Sequence, residues 1–201
     1  MNPTEASLLP QRYPIISDQV DQAELVTILQ ELAKCQAEGS IVEFGCYIGT
    51  TSLFIRRVIG NRDFHVYDSF EGLPEKVDQD ISPVGEQFKK GELSISKKQF
   101  IQEFRKAGLQ LPTIHKGWFD QLHAEDVPTQ IAFAFLDGDY YESVKVPLKL
   151  IEKKLAPGAV IIVDDYANEA LPGAAKAVNE WCRAKGYTVQ VSHSLAIIRT
   201  S

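Results

Sequence analysis

The sequence has little cysteine: Cys35, Cys46 and Cys182 are the only three in 201 residues, with no C-x-x-C spacing. An odd, scattered set fits neither a disulfide framework nor a zinc site, so the three read as reduced packing residues. It has no run of basic side chains, and Lys+Arg 21 against Asp+Glu 27 leaves a net charge of −6. The electrostatic footprint of a nucleic-acid or anionic-lipid binder is missing, and small-molecule chemistry is expected. It has no long apolar run, since Ile131–Leu136 and Ala159–Val163 fall far short of the ~20 residues that a membrane span needs. Met1–Pro10 lacks the basic and apolar blocks of a secretory signal, so no membrane partner and a cytoplasmic location are expected. Glycine (13) and proline (10) are dispersed, and 44% hydrophobic with 24% charged residues is the composition of one folded core, which excludes disordered, collagen-like and coiled-coil classes.

What is present is an alternation of apolar runs with helix-period segments. Strands are expected at Ile41–Phe44, Phe64–Tyr67, Thr113–His115, Ile131–Leu136 and Ala159–Val163. The last two are almost wholly apolar, as central parallel strands buried on both faces should be. Helices are expected from Asp21, with Glu24 as its capping-box partner, toward Gly39, and at Thr50–Ile59, Ser96–Ala107, Ser143–Leu155 and Ala174–Ala184. Tyr187–Val191 and Leu195–Arg199 are joined by Ser192-His193-Ser194, too short for a crossover, and therefore form an antiparallel hairpin. The expected fold class is α/β: a three-layer sandwich around a mostly parallel seven-stranded sheet with a C-terminal antiparallel hairpin. Residues 1–39 are expected to be an N-terminal segment and helix, and residues 40–201 the ligand-binding domain, one domain overall. Pro74–Leu93 is long and aperiodic, and is expected to lie over the active site.

In open α/β sheets ligands collect beyond the carboxyl ends of the strands. The first strand runs into Glu43-Phe44-Gly45-Cys46-Tyr47-Ile48-Gly49-Thr50. Gly45 and Gly49 would let backbone approach a ligand, and Thr50-Thr51-Ser52 would supply helix N-terminal donors. The pattern is neither a dinucleotide fingerprint nor a phosphate-binding P-loop. The second strand ends at Asp68, an acid placed to accept ribose hydroxyls. The fourth and fifth end in Asp137-Gly138-Asp139 and Asp164-Asp165. Four carboxylates at adjacent tips would repel one another, and a hard divalent cation such as Mg²⁺ is the natural counter-charge.

With those residues in place, the chain resembles S-adenosylmethionine-dependent O-methyltransferases of the macrocin and novobiocin sugar type, over roughly residues 38–186. The resemblance rests on Val42–Gly45, Tyr67–Pro74, Ile114–Phe119, Leu136–Ser143, Pro157-Gly158 and Asp164–Tyr166. It implies a class I methyltransferase fold and S-adenosylmethionine as cofactor. It puts Glu43, Gly45 and Gly49 around the methionine part, Asp68 on the ribose and Gly117-Trp118-Phe119 beside the adenine, with Thr50, Ser69 and Asp137 also at the cofactor. It implies Asp137, Asp164 and Asp165 as ligands of Mg²⁺ or another hard divalent cation, and Asp139 as general base. Other members use a His three positions after the metal Asp, where this chain has Tyr140. The implied partner is a small-molecule hydroxylated acceptor, and a homodimer is compatible with the family. Larger members carry extra N-terminal helices, whereas only about forty residues precede Glu43 here.

Two other classes use part of the same set. A non-catalytic nucleoside-binding domain leaves Asp139, Asp164 and Asp165 unused, and a metal-dependent phosphoester hydrolase leaves Glu43–Gly49 and Asp68 unused.

Overall fold

The computed structural model describes residues 1–200. Two short helical turns, α1 (Pro3–Ser7) and α2 (Leu9–Arg12), precede α3 (Gln22–Lys34). The sheet strands are β1 (Ser40–Phe44), β2 (Phe64–Asp68), β3 (Thr113–Lys116), β4 (Ile131–Leu136), β5 (Leu155–Val163), β6 (Val189–Ser192) and β7 (Leu195–Arg199). Between them run α4 (Thr50–Ile59), α5 (Lys97–Lys106), α6 (Tyr141–Ile151) and α7 (Pro172–Lys185). The strand order is β3-β2-β1-β4-β5-β7-β6, with β1 to β5 parallel and β7 antiparallel between β5 and β6.

The period-2 alternation of each strand divides the core into two layers. Ile41, Phe64, Phe133 and Phe135 face α3, α4 and α5, while Val42, Phe44, Ala134 and Leu136 face α6 and α7. The expected elements are all present: Thr50–Ile59, Ile131–Leu136 and Leu195–Arg199 keep their expected bounds, and the others have shifted ends. Asp21 caps α3 by accepting from Ala23 and Glu24 N–H at 2.8 and 3.0 Å, but Glu24 does not close a capping box. Its carboxylate reaches the β6–β7 turn instead. Helix α6 starts two residues earlier than its periodicity suggests and stops at Ile151, and Leu155 begins β5 by pairing with Ile131. Pro157-Gly158 is accommodated within β5 at a register shift opposite Ile131–Phe133. Among the described residues no helix is long and apolar enough to cross a membrane.

Candidate active site

From β1 the chain steps outward to β2 and β3, then returns to β4 on the other side of β1. The carboxyl ends of β1 and β4 therefore flank the point where the winding reverses, which is where open α/β sheets form a ligand crevice. The β1 tip lies against both of its neighbours: Asp137 N–H, just past β4, donates to Phe44 O at 2.8 Å, and Gly45 N–H donates to Tyr67 O of β2 at 2.9 Å. Gly45 has φ +83°, and a Cβ there would stand 1.8 Å from Asp137 O. Only glycine fits. A cavity of about 670 Å³ opens over this point, lined from all five parallel strand tips, the 72–93 segment and the N-terminal residues Ser17, Gln19, Val20 and Glu24.

On the β1–β3 side, Glu43 is fully buried on the α4 face of β1. One carboxyl oxygen accepts from the Ser52 hydroxyl, while Oε1 has no partner. Burial, opposed by the Ser52 hydrogen bond and reinforced by Asp68, pushes this carboxyl up to about 8. The Thr50 hydroxyl, at the start of α4, is likewise buried without a partner. Two orphaned polar atoms lining one cavity are what a polar ligand would satisfy. Asp68 stitches the tips together, accepting from Cys46 and Tyr47 N–H at 2.8 and 3.1 Å on Oδ2 and from Phe70 N–H at 2.7 Å on Oδ1. A carboxylate offers about four lone-pair positions, so one remains for a ligand hydroxyl. The Ser69 hydroxyl donates to Gly72 O at 3.2 Å. Gly117 N–H donates to Asp68 O at 3.0 Å, and the Phe119 ring meets Phe44 edge-on at 5.5 Å, which sets Gly117, Trp118 and Phe119 as one wall. Gly49 stands behind the lining: it is the N-cap of α4 at φ +90°, and a Cβ there would press on the Phe100 ring at 2.8 Å.

On the β4–β5 side, Asp137, Asp139, Asp164 and Asp165 share the cavity wall. Burial first and mutual repulsion second push Asp137 and Asp139 well above the usual carboxylate range and Asp164 up to about 7; Asp165 is raised chiefly by burial. Asp139 and Asp165 hold φ +60° and +57°, and Tyr47 and Phe70 at the β1 and β2 tips hold +44° and +54°. Left-handed backbone in non-glycine residues costs roughly 1–3 kcal/mol each and is retained where the surroundings over-determine it. The donor chemistry suits a hard divalent cation. Among the described residues, however, no three His, Cys, Asp or Glu side chains are already gathered as metal ligands.

The segment after β2 crosses the cavity as a closed loop. Its neck is tied by Leu73 N–H to Glu92 O and Gly91 N–H to Leu73 O, both 2.9 Å, and Pro74, Val77 and Phe88 line the cavity beneath it. Asp80 fastens the loop. It is 3% exposed and accepts from Tyr141 N–H at 2.7 Å and Val77 N–H at 3.0 Å. It fits against α7 because residue 173 is glycine, where a Cβ would sit 1.9 Å from Asp80 Oδ1. Sequence reasoning missed Asp80, Glu24 and Ser194. Glu24 carried a signal, an acid in a first helical turn, that pointed to its own helix. Its partner Ser194 is 170 residues away.

The model of the macrocin-O-methyltransferase (TylF) family matches residues 15–194. The 8-demethyl-8-(2,3-dimethoxy-alpha-L-rhamnosyl)-tetracenomycin-C 4'-O-methyltransferase of Streptomyces olivaceus is 34% identical over 143 residues, 66% of this chain and 54% of that protein. The demethyldecarbamoylnovobiocin O-methyltransferase of Streptomyces niveus is 30% identical over 166 residues, 73% of this chain and 59% of that protein. The chain thus spans between half and two thirds of the length of these curated relatives. Among solved structures, the calicheamicin methyltransferase CalS11 superposes with a TM-score of 0.75 at 18% identity, covering 98% of this chain and 90% of that one, a likeness of fold. With the family model spanning nearly its whole length, the chain belongs to the macrocin-O-methyltransferase (TylF) family.

Proposed function

We propose that the chain is an S-adenosylmethionine-dependent O-methyltransferase acting on a hydroxyl of a small molecule, with a hard divalent cation at its acidic tips. The observation that carries this reading is one cavity at the winding reversal with orphaned polar atoms at the β1 tip and crowded carboxylates at the β4 and β5 tips. A pure binding module has no use for the second half, and a hydrolase none for the first. The names of the relatives, each an O-methyltransferase and one acting on a rhamnosyl compound, support the same reaction class and a sugar or other natural-product acceptor.

In this reading residues 40–201 hold the cofactor and residues 1–39 help to wall the acceptor side. Glu43 Oε1 and the Thr50 hydroxyl bind its polar methionine end, Asp68 takes a ribose hydroxyl, and Gly117–Phe119 flank the adenine. Asp137, Asp164 and Asp165 would hold the cation. When bound, S-adenosylmethionine supplies an electrophilic methyl group, and the cation lowers the pKa of a hydroxyl beside it. Asp139 takes the proton from the acceptor hydroxyl. Burial lifts its carboxyl above the usual carboxylate range, the direction in which a carboxylate becomes a stronger proton acceptor. The Asp80-fastened loop excludes water and holds the acceptor in line, an orientation effect that can remove several kcal/mol from the barrier.

The test is calorimetric titration of S-adenosylhomocysteine into the protein with Mg²⁺ and with EDTA, plus Mg²⁺ titration of wild type and Asp164→Ala. Cofactor binding, and Mg²⁺ binding lost in the variant, are expected. Failure of wild type to bind S-adenosylhomocysteine overturns the reading.

A further inference from the structure

Ser194 lies in the turn between β6 and β7, and Glu24 in the first turn of α3. Glu24 Oε1 accepts from Ser194 N–H at 2.8 Å and also from the Ser194 hydroxyl. The same hydroxyl oxygen stands 3.2 Å from Asp164 Oδ1. Ser194 O accepts from Ala167 N–H at 3.0 Å, so the turn is tied to the β5 tip by its main chain as well. A serine hydroxyl has one proton and cannot serve two carboxylates at once. The Ser194 N–H already ties the residue to Glu24, so the hydroxyl proton can go to Asp164 Oδ1, whose only other donor among the described residues is Asp165 N–H at 2.8 Å.

We propose that Glu24 and Ser194 are positioning residues for cation binding: Glu24 fixes Ser194 by accepting from its N–H, and the Ser194 hydroxyl donates to the carboxylate of Asp164 and fixes it. The proposal rests on the metal reading above. It gives α3, which lies outside the sheet, a part in the site, because Glu24 is the only acid that α3 sends into the cavity lining. Outer hydrogen bonds of this kind set the orientation of ligating carboxylates, and their loss typically weakens metal binding roughly 10–100-fold.

The experiment titrates Mn²⁺, followed by electron paramagnetic resonance of the free ion, into the full chain and into Ser194→Ala, Ser194→Thr, Glu24→Ala and Glu24→Gln. Calorimetry with S-adenosylhomocysteine on each variant checks that the rest of the site is intact. Expected is a loss of roughly 10–100-fold in Mn²⁺ affinity for both alanine variants. Recovery is expected to within about threefold in Ser194→Thr, which keeps the hydroxyl, and in Glu24→Gln, which keeps an acceptor without the charge. Unchanged Mn²⁺ affinity in both alanine variants overturns the proposal while leaving the metal reading standing. Glu24→Gln as weak as Glu24→Ala overturns it too, since net charge would then account for the effect. A wild type that binds S-adenosylhomocysteine but no Mn²⁺ overturns the metal reading and this proposal with it. Should Ser194→Ala fail to fold, the two substitutions of half-buried Glu24 decide the matter.

Discussion

Glu43→Gln should change how stability depends on pH. Glu43 is fully buried, and its carboxyl titrates near 8 in the native state, against an ordinary value of 4.5. Between those two pH values the folded chain holds a proton that the unfolded chain has released. Stability therefore falls as pH rises from about 4.5 to about 8, and the contribution is fully present only below that window. At 1.36 kcal/mol per pH unit the full gap corresponds to at most about 5 kcal/mol. Glutamine has the shape of the protonated acid, keeps an oxygen to accept from Ser52, and cannot ionise. At pH 5 the variant should match wild type to within about 1 kcal/mol. By pH 8.5 it should be the more stable by roughly 2–5 kcal/mol. The assay is urea unfolding of both proteins at half-unit steps from pH 5 to 8.5. Asp137, Asp139 and Asp164 are shifted in the same direction, so wild type alone reports their sum, and the difference between the two curves isolates Glu43. A difference that stays constant across the range refutes the argument from burial.

Gly45→Ala forces a Cβ into Asp137 O at φ +83° and should lose roughly 2–5 kcal/mol of stability in urea unfolding; a loss below about 1 kcal/mol means that β1 and β4 do not meet so closely. Asp80→Ala leaves the buried Tyr141 N–H and the part-buried Val77 N–H without their acceptor, costing about 2 kcal/mol and exposing residues 74–93 to proteolysis. Cleavage no faster than in wild type would show that Asp80 does not fasten the loop. Asp139→Asn should keep S-adenosylhomocysteine affinity in calorimetry and abolish methyl transfer in an acceptor screen that wild type passes, and retained turnover would remove Asp139 as base.

The sequence by itself determined the elements and the acids at their ends. Apolar runs such as Ile131–Leu136 and helix-period stretches such as Thr50–Ile59 are written in neighbouring residues, because strand and helix geometry repeat every two and 3.6 residues. Residues at or just after the carboxyl end of a strand must sit at its tip, so Glu43, Asp68, Asp137 and Asp164 were legible as acids at one edge of the sheet before any strand order was known. Segment ends were less legible. Helix α6 begins at Tyr141 because Asp80, 61 residues earlier in the chain, supplies its capping acceptor. Tertiary structure alone decided which tips adjoin, and that the β1 and β4 ends meet within a glycine's width. It also turned Glu24 from its own helix end toward Ser194 and placed Gly49 against Phe100 behind the cavity wall. Burial of Glu43, and with it the raised carboxyl, is likewise a property of packing from both sides of the sheet, since desolvation depends on everything around a group and not on the residues next to it in the chain.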